Sequence, residues 1–100
     1  MAMTTSTYER LRQQRDEIVQ VAARHGVDRI RLFGSVVRGE DTEASDIDLL
    51  VDVGPRTSSW FPAGIILDLE NLLGRRVEVV TEQGLNPLLR ERVLDEAVAL

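Results

Sequence analysis

The chain has 100 residues and a mass of 11.2 kDa, with 12 basic against 17 acidic side chains and a net charge of −5. That is the length of one domain, expected to run over 1–100, with room for one core and a shallow site but none for a separate recognition domain. The acidic balance argues against a polynucleotide as direct partner, because phosphate contacts need a basic footprint. Absence of cysteine excludes disulfides and thiolate metal sites. No apolar run approaches the ~20 residues of a membrane span, and the opening MAMTTSTYER has no apolar signal core. A cytoplasmic protein is expected.

The spacing predicts a first helix over 7–24. Ser6 and Glu9 stand at capping-box distance, Tyr8, Leu11, Ile18 and Ala22 share one stripe, and Gly26 is the stop. His25 is expected at the helix end, where the dipole favours it. Residues 29–33 alternate as a short strand, Gly34-Ser35 breaks it, and 35–38 start a short helix. A polar loop over 39–45 leads to the clearest strand, 46–53, rich in Ile, Leu and Val. A loop over 54–59 and the aromatic pair Trp60-Phe61 precede a second helix, 61–73, with Pro62 in its first turn and Gly74 after it. The aromatic pair reads as a helix anchor. Residues 76–81 make a third strand. Asn86-Pro87 opens a last helix whose buried side is Val93, Leu94, Ala97 and Val98. The order predicts an α+β domain with a small sheet covered by helices.

The chemistry concentrates on the second strand. Side chains alternate across a strand, so Ile47, Leu49 and Val51 share one face while Asp46 and Asp48 share the other. Two carboxylates two residues apart on one face repel unless a cation or a proton lies between them. Hard oxygen ligands of this kind suit Mg²⁺. Asp52 lies on the same side at the strand's far end and reads as a loop-entry residue. On the third strand Glu78 points away from Val77 and Val79. If the strands are neighbours Glu78 joins the cluster; otherwise it faces solvent or pairs with Arg75 or Arg76. Three carboxylates can hold two metals, the arrangement that serves in-line phosphoryl displacement. Gly34-Ser35 offers a backbone that a ligand can approach, a hydroxyl, and unpaired N–H groups: an anion site. Arg38, one helical turn on, can reach a phosphate there or pair at the surface with Glu40 or Asp41.

Gly34-Ser35, ten residues, then Asp46-Ile47-Asp48 resembles the signature of the polymerase-β-like nucleotidyltransferase superfamily. The runs 33–39 (FGSVVRG), 45–51 (SDIDLLV) and 73–81 (LGRRVEVVT) are similar to its minimal nucleotidyltransferase (MNT) branch, from about Asp28 to the C-terminus. The resemblance implies a polymerase-β-like fold with a mixed sheet of three or four strands. It also implies ATP as nucleotide donor, Mg²⁺, two ions, on Asp46, Asp48 and Glu78, and Gly34 and Ser35 on the triphosphate. The third carboxylate is most often aspartate in this family, and here it is Glu78. MNT proteins resembling this one act as antitoxins beside HEPN toxins, and some transfer AMP to a toxin tyrosine. The expectation is therefore a Mg-dependent protein adenylyltransferase acting on a HEPN-family toxin. The alternatives are an antitoxin that masks its toxin by binding alone, and a nucleotidyltransferase acting on a small molecule.

Overall fold

Ser6 caps the first helix as its spacing from Glu9 implies: its hydroxyl accepts the Glu9 N–H at 3.1 Å. In the computed structural model, which describes residues 6–55 and 61–100, the helix expected over 7–24 is two, α1 (Thr7–Gln13) and α2 (Arg15–Arg24). Gln14 lies between them at φ −95°, ψ 10°, its N–H shared between the carbonyls of Arg10 and Leu11. Apolar periodicity runs across such a break without registering it. The remaining elements are β1 (Val27–Phe33), α3 (Ser35–Arg38), β2 (Ile47–Val53), α4 (Ala63–Leu73), β3 (Val77–Val80), α5 (Pro87–Glu96) and β4 (Val98–Ala99).

The four strands form one sheet in the order β3-β2-β1-β4. β1 is antiparallel to both β2 and β4, whereas β2 and β3 are parallel. The sheet is thus mixed, as expected. Ile30, Leu32, Ile47, Leu49, Val51, Val77 and Val79 are buried and form one core cluster with Ile18, Val21 and Ala22 of α2 and Ile65 and Leu69 of α4. Alternation sends the intervening residues to the opposite face. Phe33, Asp48 and Glu78 are cross-strand partners there, followed by Arg31, Leu50 and Val80. The core is therefore on the helix side, and the chemistry stands on the other side.

The last helix departs from the expectation. α5 buries none of its residues; Val93 and Leu94 are half-buried, and Leu88 is 91% exposed. Ala97 ends it in extended conformation, φ −64°, ψ 135°, and Val98 pairs with Leu32 as part of β4 instead of belonging to the helix. Leu100 is buried, and its N–H donates to the Ile30 carbonyl at 3.2 Å. Burial of Leu100 and the added ladder outcompete one more helical turn. Leu11 is part of the core, and Tyr8, partly buried, packs against it. His25 ends α2 as expected and its Nε2 lies 2.7 Å from Asp68. Trp60 and most of the 54–59 loop lie outside the described residues, in which no helix is long and apolar enough to cross a membrane.

Candidate active site

β1 ends at Phe33 and the chain turns at Gly34, which holds φ 80°, ψ −156°, a region that a side chain rarely allows. A Cβ at Gly34 would also collide with Asp48 Oδ2 and lie 3.1 Å from its Cγ. Glycine is thus required here for two independent reasons, and backbone stands directly against a carboxylate. Ser35 begins α3, partly buried, and Arg38 ends it with an exposed side chain. Gly39 in the left-handed region stops the helix. The turn expected at Gly34-Ser35 and the short helix after it are both present.

Asp48 is half-buried, and its parallel-ladder partner is Glu78. Its carboxyl is pushed up to about 7 by burial first, then by the hydrogen bond and charge of Glu78 and the charge of Asp46, against a smaller opposing pull from Arg38. Two carboxyl groups can hydrogen-bond only if one carries a proton. A proton or a bound cation would each neutralise the charge that the fold has forced together. The strands are neighbours, so Glu78 meets the condition set for joining Asp48.

Asp46 stands one residue before β2, which is entered through the Ile47 N–H donating to the Arg76 carbonyl at 2.9 Å. Its Oδ1 is buried without a hydrogen-bond partner, with Arg76 Nε 3.2 Å away. Among the described residues no three acidic, histidine or cysteine side chains are already converged on one point. The donor set nevertheless fits Mg²⁺: hard oxygens, with Asp48 and Glu78 set against each other across adjacent strands and Asp46, in an ion pair with Arg76, two residues before Asp48.

Two residues that the sequence reading did not place at the site matter to it. Arg75, considered only as a partner for Glu78, instead holds the loop that leads to Asp46. Its Nη1 donates to Thr7 Oγ1 at 3.1 Å and Asp41 Oδ2 at 3.2 Å, and its Nη2 to the carbonyls of Thr42 at 2.9 Å and Ser45 at 2.7 Å. Burial works against the Asp41 charge, but hydrogen bonds from Thr7 and Arg75 outweigh it and hold the carboxyl below the usual range. Glu96, at the end of α5, accepts the Gly34 N–H at 2.9 Å and an Arg38 Nη1 hydrogen at 2.5 Å. Of the two surface partners expected for Arg38, Glu40 lies at 3.5 Å, whereas Asp41 is taken by Arg75. Asp52 is still within β2, at the far end of the same face, with Arg29 and Arg31.

Known proteins resemble the chain over most of its length. The pattern of the nucleotidyltransferase domain family matches residues 11–100. "Protein adenylyltransferase MntA" of Thermococcus cleftensis is 40% identical over 79 residues, 79% of this chain and 80% of that protein. A solved structure described as a "putative minimal nucleotidyltransferase" is 50% identical, covers 92% of this chain and 94% of its own, and superposes with a TM-score of 0.79. A "toxin-antitoxin with AMP-PNP" crystal structure shares the fold at a TM-score of 0.70 and 21% identity, over 84% of this chain and 69% of that one.

Proposed function

The chain belongs to the nucleotidyltransferase domain family, and from that premise we propose that it transfers AMP from ATP to a hydroxyl of a partner protein, a tyrosine of a HEPN-type toxin, and acts as its antitoxin in the cytoplasm. The observation that carries this reading is the contact of the Gly34 backbone with the Asp48 carboxylate, which stands beside Glu78 on the neighbouring strand. It brings an anion-binding turn and a cation-seeking cluster together, as nucleotidyl transfer requires. The relative named as an MntA adenylyltransferase and the fold neighbour described as a toxin–antitoxin with an ATP analogue support the choice of donor and partner.

Asp46, Asp48 and Glu78 would hold Mg²⁺, two ions on this reading. When bound, Mg²⁺ neutralises phosphate charge and polarises the α-phosphate. Gly34 and Ser35 seat the β- and γ-phosphates, and Arg38 adds positive charge at their edge. The acceptor oxygen bonds to the α-phosphorus, the bond from that phosphorus to the bridging oxygen breaks, and pyrophosphate leaves with the electron pair. The hydroxyl proton would pass to a carboxylate of this cluster, Glu78 on this reading, once the cation has displaced any proton held there. Cavities open along α5 by Glu96, by Asp52 and Glu82, and by Arg75 and Arg76; a partner protein would complete the wall around the acceptor.

The test is transfer of label from α-labelled ATP in the presence of Mg²⁺ and the co-expressed partner. Label on a partner tyrosine, and none from γ-labelled ATP, is the expected result. A silenced but unlabelled partner would replace this reading with masking by contact, and label on a small molecule would replace it with small-molecule transfer.

A further inference from the structure

Antiparallel pairing of β1 with β4 joins Arg31 to Ala99 and Leu32 to Val98. The same register continued two steps sets Glu96 beside Gly34. There the chain leaves the ladder, and the Glu96 side chain takes over: Oε2 accepts the Gly34 N–H at 2.9 Å and Oε1 accepts from Arg38 Nη1 at 2.5 Å. One carboxylate thus ties both ends of the turn and short helix that the proposed function assigns to the triphosphate. Burial disfavours its charge, but the Gly34 N–H and Arg38 outweigh that and keep it ionised below the usual range.

We infer that Glu96 is a positioning residue for the phosphate site, fixing the turn through the Gly34 N–H and holding the Arg38 guanidinium in the orientation in which it meets a nucleotide. A guanidinium has five N–H donors in a rigid fork. Glu96 takes one edge through Nη1 and Glu40 approaches Nε at 3.5 Å, which leaves Nη2 without a partner among the described residues. Arg38 can therefore keep Glu96 and donate to a phosphate oxygen at the same time. Without Glu96 its side chain, exposed on a four-residue helix, would sample many rotamers or swing to Asp48, whose charge it already feels. Fixing one rotamer in advance removes that ordering cost from binding.

The inference rests on the nucleotide site of the proposed function, so the experiment measures binding rather than transfer. The full chain is titrated by calorimetry with Mg²⁺ and α,β-methylene-ATP, which cannot donate AMP. Five proteins are compared: wild type, Glu96→Gln, Glu96→Asp, Arg38→Ala and the Glu96→Gln/Arg38→Ala double variant. Glu96→Gln keeps an acceptor for the Gly34 N–H and loses the charge facing Arg38. It should weaken binding about tenfold when Arg38 is present and less than about twofold when Arg38 is alanine, the coupling expected of residues in one network. Glu96→Asp, with the charge kept, should lose less than Glu96→Gln. Tighter binding by Glu96→Gln would show that the carboxylate competes with phosphate and overturn the inference. Equal losses in both Arg38 backgrounds, or none, would overturn it as well. Normal coupling in a chain that labels no protein would instead leave Glu96 in place and remove the adenylyltransferase reading.

Discussion

The open face of the sheet carries acidic side chains at both ends of β2, and the two ends are handled in opposite ways. At the far end Asp52 and Glu82 face Arg31 at 3.5 and 2.8 Å, with Arg29 at 3.9 Å from Asp52. Each acid there has a cation, and Glu82 is held below the usual carboxylate range by its hydrogen bond from Arg31. At the near end Asp48 and Glu78 face each other, and Asp48 is pushed up instead. The strand, the face and the residue type are shared, so the difference comes from what the neighbouring strands present: Arg31 opposite Leu50, but Phe33 opposite Asp48. A fold that supplies arginines at one end and an aromatic ring at the other leaves its acidic charge uncompensated only where a ligand can compensate it. Perturbed acids of this kind mark functional sites more often than structural ones.

The largest effect should follow from removing charge at the uncompensated end. Asp48→Asn should lower AMP transfer by at least ~100-fold, because charge placed for the transferring phosphoryl group is the main source of rate in such sites. Glu78→Gln should do the same, whereas Glu78→Asp should retain transfer, since it keeps the carboxylate. Label transfer to the partner over a Mg²⁺ titration measures all three. A silent Glu78→Gln would return Glu78 to the solvent-facing role that its exposure also permits.

Next comes the turn against Asp48. Gly34→Val should abolish binding of an ATP analogue by calorimetry, because a side chain at φ 80° is strained and would occupy the space of the Asp48 carboxylate. Unchanged affinity would place the phosphate site elsewhere.

Stability should distinguish the two ends in the opposite sense. The Asp48 carboxyl titrates at about 7 in the fold against an ordinary value of 3.8. Folding therefore takes up a proton. The stability this contributes is complete below about pH 3.8 and is lost as pH rises through about 7. Asn at 48 suffers no such loss. Asp48→Asn and wild type should melt alike near pH 4, and at pH 8 the variant should be more stable. Solvent reaching the half-exposed carboxyl limits the gain to about 1–2 kcal/mol. Added Mg²⁺ should raise the wild-type midpoint at pH 8 more than the variant's. Coincident melting curves at pH 8 would contradict the uncompensated charge.

What was legible in the sequence was what is local. Alternation placed Ile47, Leu49 and Val51 inward and Asp48 outward, and caps at Ser6 and Asn86 were readable because their partners are two or three residues away. The metal and phosphate candidates were legible because Asp46 and Asp48 alternate on one strand and Gly34-Ser35 precedes them at a spacing that resembles a family signature, while Glu78 depended on the strands being neighbours. Arg75 and Glu96 escaped because their partners are distant: Thr7 is 68 residues from Arg75, and Gly34 is 62 from Glu96. No periodicity encodes such a pairing. The fourth strand escaped for a related reason. Val98–Ala99 is two residues long, and its helical neighbours outvote so short a run in any pattern. The pairing of Leu32 with Val98 and the seat of Leu100 beneath it decide that segment, and both are tertiary.

The smallest effect should come from the compensated end. Arg31 is buried to 12% side-chain exposure, with its Nε unpartnered. Arg31→Met would keep an unbranched stem over Leu50, its cross-strand partner, and remove the cation. Asp52 and Glu82, at 40% and 42% side-chain exposure, would turn to water at little cost. An ion pair replaced by an apolar side chain of similar shape is often neutral, so the melting midpoint should stay within about 5 °C of wild type. Label transfer should be unchanged, because among the described residues no hydrogen bond or ion pair links this network to Asp48, Glu78 or Gly34. Loss of transfer in a folded Arg31→Met protein would mean that the two ends are coupled across Leu50, and that the far end also belongs to the site.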